Sequence, residues 1–148
     1  MALLLYTRKR QFVNNEMSPE RSGEELEDLR RMFCVSHPFA RLRSNTSTYN
    51  CMGLVFASRR THIDVDLIEQ FLRDDEWRKL DNPTDVQPGD IVLYRLNGLR
   101  AHVGIVWECV DGRTTMLSKW GDAGEYFHGL CDVPGFCGSP SEYYTDRR

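Results

Sequence analysis

The stretch Asp90-Ile91-Val92-Leu93-Tyr94-Arg95-Leu96-Asn97-Gly98-Leu99-Arg100-Ala101-His102-Val103-Gly104-Ile105-Val106-Trp107 holds two apolar runs on either side of an Asn-Gly pair. Asn-Gly suits the positive backbone dihedrals of a tight hairpin turn, so residues 90–94 and 102–107 read as paired antiparallel strands. A third strand, 114–120, follows Asp111-Gly112, a second hairpin signal. Residues 81–89 before this block are turn-rich. Residues 121–140 after it recur in glycine and proline and read as loops dominated by turns. The tyrosines Tyr143 and Tyr144 are expected to pack back on the domain.

Upstream of residue 81 the period changes. Ser22 followed three residues later by Glu25 is a capping-box signature, and Leu26, Leu29 and Phe33 continue at helical spacing towards Pro38. Residues 41–50 form a polar connection that runs into Cys51-Met52-Gly53-Leu54-Val55-Phe56-Ala57. That apolar run fits a buried strand or a buried helix. Asn50 is a good N-cap, which favours a helix with Cys51 in its first turn. Asp64 or Asp66 caps a further helix, with Val65, Ile68, Phe71 and Leu72 on one face. Residues 1–17 read as a weakly structured segment with at most one edge strand. Helices first and strands second give an α+β class, N-terminal helices packed on an antiparallel β-meander.

At 148 residues the chain is expected to be one domain, 1–148, large enough to bury a core without disulfide or metal staples. A net charge of −3 disfavours a phosphate-tracking surface, so no nucleic-acid partner is expected. No apolar run is long enough to span a membrane, so no membrane partner is expected either. The first six residues lack the charge order of a secretory signal, which implies a cytoplasmic location or a signal-independent export route. Five cysteines without a C-x-x-C pair are read as reduced thiols. Their spacing with the histidines does not fit a structural zinc site, and no metal or other cofactor is expected.

Cys51 and His102 are the candidate chemical pair. A thiol at a helix start meets free N–H groups and the positive end of the helix dipole, which lower its pKa; the competing reading is an inert buried cysteine. His102 opens a strand just after a polar turn, where an imidazole can meet a helix end.

Three segments resemble a known family. Asn50-Cys51-Met52-Gly53-Leu54-Val55 is similar to the Asp-Cys-Ser-Gly motif of the NlpC-type cysteine peptidases, members of the papain-like group. Pro88-Gly89-Asp90-Ile91-Val92-Leu93-Tyr94 and His102-Val103-Gly104-Ile105-Val106 resemble that family's Pro-Gly-Asp and His-Val-Gly-Ile strands, in the family's order. The resemblance covers residues 45–120 and extends to the CHAP amidases, which share the Cys–His order. It implies a papain-like fold, a Cys51 nucleophile, a His102 base and a third polar residue that orients the imidazole. Ser118 lies nearest that third position, although the family usually has His, Asn or Gln there. His128 is the alternative, and Lys119 is cationic and would not stabilise an imidazolium. Asn50 and Met52 replace the family's Asp and Ser, so substrate contacts are expected to differ. Asn50 and Trp120 are the candidate substrate-binding residues.

The function so implied is a cysteine-dependent amide hydrolase, a peptidase or amidase, that forms a thioester on a peptide or protein substrate. Stem peptides of peptidoglycan are the family's substrate class. Two alternatives stay open: a protein deamidase or transamidase effector or toxin using the same site, and a non-catalytic peptide-binding module.

Overall fold

A computed structural model describes residues 1–148. Three helices, α1 (Gly23–Ser36), α2 (Cys51–Phe56) and α3 (Ile68–Asp74), pack with seven strands. The strands are β1 (Arg41–Ser44), β2 (Arg78–Lys79), β3 (Ile91–Leu96), β4 (Leu99–Val110), β5 (Arg113–Lys119), β6 (Glu125–Gly129) and β7 (Ser139–Thr145). They form one sheet in the order β1-β6-β5-β4-β3-β7-β2, with every pairing antiparallel. Strands β3 to β6 are consecutive neighbours, a meander. The mixed helix and antiparallel-sheet class is thus the α+β class that the sequence implies.

The local signals act as their chemistry requires. The Ser22 hydroxyl accepts the Glu25 N–H at 3.1 Å and starts α1. The Glu25 carboxylate turns to Arg21 instead of closing the box. Asn50 caps α2 by accepting from the Gly53 N–H at 3.0 Å. Asp64 caps a 3-10 turn, Val65–Leu67, that leads into α3, which buries Ile68, Phe71 and Leu72. Asn97 and Asp111 take left-handed backbone angles in the two hairpin turns, as the short loops demand.

Three expectations need correction. Residues 41–44 are not connection but an edge strand paired with β6. Residues 125–129, expected to lie in loops, form β6 between β5 and β1. The chain end does pack back on the domain as expected, as strand β7, whose Tyr143 and Tyr144 pair with Val92 and Ile91 of β3. Residues 1–17 are tied down rather than loose. Leu5 and Val13 are buried, Thr7 Oγ1 donates to the buried Asp74 carboxylate at 2.8 Å, and Glu16 pairs with His62.

The sheet divides the interior. Side chains alternate along a strand, so neighbours in sequence point to opposite faces. On one face, Ile91, Leu93 and Val103 pack with Cys51, Met52, Phe71 and Leu72, while Leu117 packs with Leu54 and Tyr49. This is the α2 face. On the other, Val92, Tyr94, Val106 and Met116 pack with Cys137 and Val133, and Trp120 and Tyr126 pack with Phe33 of α1. This is the α1 face.

Gly53 explains how closely α2 approaches its neighbours. A Cβ there would lie 1.9 Å from the Thr61 carbonyl oxygen, so no larger residue fits without moving backbone.

Candidate active site

Cys51 is the first residue of α2 and is only 5% exposed. The Asn50 side chain is fully employed in holding it there. Its oxygen accepts from Gly53 and from the Ile63 N–H at 3.1 Å, and its amide donates to the Ile63 carbonyl at 2.7 Å. Asn50 also borders a polar cleft of about 380 Å³, lined with Glu16, His62, Asp64 and Leu67 among others. The candidate substrate contact is therefore first a clamp between α2 and residue 63.

Burial pushes the Cys51 thiol up. The N–H groups of Val103 and Met52 favour its ionised form, as does the positive charge of Lys119, but they do not cancel the desolvation. The expectation of a low pKa at the helix start is thereby corrected: the loss of water outweighs the favourable N–H groups. A thiol in this state needs a base before it can act as a nucleophile.

His102 is not placed as that base. It pairs across the β3–β4 ladder with Tyr94, and the two rings meet edge-on at 5.1 Å on the α1 face. Its sequence neighbour Val103 points the other way, into the cluster that contains Cys51. The dyad expected from the motifs is corrected on this point. The two motifs do lie beside each other through α2 and β4, but strand alternation turns the imidazole to the far side of the sheet. His102 is 2% exposed, and its Nε2 has no hydrogen-bond partner. Burial, reinforced by His128, lowers its pKa to about 3, so it is neutral.

The two candidates for a third residue do converge, with His102 and away from Cys51. Ser118 and His128 lie on the α1 face, and Ser118 Oγ is 2.6 Å from His128 Nε2. His128 Nδ1 is 2.6 Å from the Gly129 carbonyl, which can only accept. Nδ1 therefore carries the proton, and the Ser118 hydroxyl donates to Nε2. Burial lowers the His128 pKa to about 4 despite the Gly129 bond. Both residues are buried, so this pair meets no solvent and forms part of the core.

Trp120 is also corrected. It is fully buried, stacked on Tyr126 at 4.1 Å and edge-on to Phe33 at 5.2 Å, so it offers no face to a substrate.

The α2 face holds two charged groups to which the motif reading assigns no role. Lys119 is wholly buried, makes no salt bridge, donates to the Gly121 carbonyl at 2.7 Å and lies 5.0 Å from the Tyr49 ring centroid. Glu125 is likewise wholly buried. It accepts from Tyr49 at 2.5 Å, from Arg59 at 2.8 and 3.2 Å and from Arg43 at 2.9 Å. Burial opposes its ionisation, but the Arg59 and Tyr49 bonds prevail and hold the carboxyl low. The signal that could have placed Lys119 is the strand period, which puts Leu117 and Lys119 on one face of β5 and Ser118 on the other.

No helix is long and apolar enough to cross a membrane. No protein-family model, curated protein or solved structure matches the chain.

Proposed function

We propose that this chain is a cysteine-dependent amide hydrolase of papain-like architecture in which Cys51 is the nucleophile. The observation that carries the reading is the setting of Cys51. It opens α2 and packs against Leu93 and Val103, where the Val103 and Met52 N–H groups and the Lys119 charge favour its ionised form. N–H groups and a cation stabilise the anion that an attacking thiol must become. The three motifs of residues 50–55, 88–94 and 102–106 add the resemblance to NlpC-type peptidases. In the resulting reaction the thiolate attacks an amide carbonyl and the amine leaves. Water then hydrolyses the thioester and restores the thiol. Peptide or protein amides are the substrate class, with stem peptides of peptidoglycan and protein glutamine side chains as the two forms to try.

The test incubates the full chain and Cys51→Ala with muropeptides, read as new amino groups, and with casein, read as released ammonia. Wild-type turnover of either probe that is lost in Cys51→Ala supports the reading. Turnover that survives in Cys51→Ala, or none with either probe, overturns it.

A second reading is a peptide-binding module. The burial of Cys51 and the turn of His102 to the opposite face of the sheet favour it. On that reading the wild type and Cys51→Ala bind muropeptides equally and neither turns them over.

A further inference from the structure

We propose that the outer edge of strand β1 is a docking site for an extended acidic peptide, which pairs with it as an added strand. The site does not depend on Cys51 being a nucleophile. β1 ends the sheet and is bonded on one side only, to β6. No backbone hydrogen bond outside that ladder involves residues 41–44. Arg41, Leu42 and Arg43 are all exposed. The outward N–H and C=O groups of such an edge are a template for a further strand.

The side chains select the kind of strand. Arg41 and Arg43 lie on the α2 face. The Arg41 guanidinium stands 5.4 Å over the Phe127 ring, and Arg43 donates to Glu125 at 2.9 Å. Arg59 reaches the same carboxylate from the end of α2. Three guanidiniums therefore stand against one carboxylate, and Arg41 has no carboxylate within ion-pair distance. Glu125 is wholly buried, whereas the Arg43 and Arg59 side chains are 40% and 39% exposed. The charge presented to solvent beside β1 is thus positive. Leu42 pairs with Tyr126 on the opposite face, and Phe39, two residues before the strand, is 90% exposed. Residues directly opposite in paired strands share a face. The complementary peptide therefore alternates, with carboxylates opposite Arg41 and Arg43 and an apolar side chain opposite Leu42.

The same charges disfavour the other occupants of an open edge. Antiparallel pairing of β1 with a second copy, centred on Leu42, would set arginine against arginine, and like charges directly opposite are destabilising. A nucleic-acid strand needs a longer track of cations than these three, and this chain carries a net charge of −3. The far edge of the sheet offers a contrast. Strand β2 has only two residues, and its Lys79 lies 4.0 Å from Glu142, a carboxylate that also holds Arg95 and Arg100. The lysine there is answered within the chain, whereas Arg41 is not.

The experiment titrates the full chain, wild type and Arg41→Glu, with fluorescein-labelled probes read by anisotropy. The probes are Thr-Glu-Val-Glu-Val-Glu-Thr, its counterpart Thr-Lys-Val-Lys-Val-Lys-Thr and an oligodeoxythymidine. NMR amide exchange of residues 41–44 is followed with and without the acidic peptide. The wild type is expected to bind the acidic peptide about tenfold or more tightly than the lysine peptide. Arg41→Glu, a change at an exposed position checked for folding by circular dichroism, is expected to weaken the acidic peptide about tenfold and to abolish that preference. The β1 amides that face away from β6 are expected to exchange about tenfold or more slowly when the peptide is bound, because they become hydrogen-bonded. No binding of the acidic peptide, equal binding of both peptides, or acidic-peptide binding that Arg41→Glu leaves unchanged overturns the proposal. Binding without slower exchange in β1 overturns strand addition. Tighter binding of oligodeoxythymidine than of the acidic peptide, or a dimer in sedimentation whose formation Arg41→Glu alters, assigns the edge to another occupant and also overturns it.

Discussion

The two faces of the sheet bury polar groups by different means. On the α2 face the groups are ionised and cross-linked over long stretches of sequence. Glu125 joins Arg43, Tyr49 and Arg59, and Lys119 stands over the ring of Tyr49. On the α1 face they are neutral and sit among aromatic rings. His102 meets Tyr94, Ser118 donates to His128, and Trp120 covers Tyr126. Charged groups in low dielectric need partners and create strong fields, which suits the ionisation proposed for Cys51. Neutral imidazoles on the opposite face cost little while they stay neutral, and they contribute to packing.

This contrast breaks most visibly at Glu125. Removing it strands Arg59 and Arg43 and leaves Tyr49 without its acceptor. Glu125→Ala should lose about 3–5 kcal/mol in urea unfolding, since removing one member of a buried ion network leaves uncompensated charge. A loss below about 1 kcal/mol would place this carboxylate among ordinary surface pairs.

The α1 face is tested by acid. His128 has its folded pKa lowered to about 4 and His102 to about 3, against ordinary values near 6.5. Between those limits the unfolded chain binds more protons than the folded one. The stability these neutral histidines allow is therefore complete above about pH 6.5 and falls as pH drops towards 4. For His128 alone the loss is on the order of 3 kcal/mol. Urea midpoints should decline steeply from pH 6.5 to 4, and His128→Gln should flatten that slope. A slope unchanged in the variant would assign the acid sensitivity elsewhere.

Ser118→Ala leaves the buried Nε2 of His128 without its donor and should cost about 1–3 kcal/mol, with no change in Cys51 alkylation. Asn50→Ala is the smallest of the series. Losing a helix cap costs about 1 kcal/mol, with a further small loss from the bonds to Ile63. Because Asn50 holds the start of α2, this variant should change Cys51 alkylation where Ser118→Ala does not.

What the sequence discloses follows the range of the interactions. The Ser22 and Asn50 caps, the two hairpin turns and the apolar face of α3 depend on residues within a few positions of one another, and all are legible. Strand β1, Arg41-Leu42-Arg43-Ser44, has no apolar alternation because it is an edge with exposed residues. Strand β6 begins with a glutamate that reads as solvated until Arg43, Tyr49 and Arg59 arrive from 66 to 82 positions away. The orientation of His102 belongs to the same class. Alternation along β4 is plain in the sequence, but which face α2 covers is decided by contacts with β4 and β5 that no local pattern encodes. The motifs thus bring α2 and β4 together, and tertiary packing decides which side chains share the face with Cys51.

The most direct measurement asks which charge or imidazole, that of Lys119 or that of His102, governs the ionisation of Cys51. Peptide-mapped iodoacetamide alkylation of Cys51 at pH 7 is compared in His102→Leu and Lys119→Met, each confirmed folded by circular dichroism. A rate close to wild type in His102→Leu with about a tenfold fall in Lys119→Met is the predicted result. A fall in His102→Leu with no change in Lys119→Met would contradict the account and return the imidazole to the thiol.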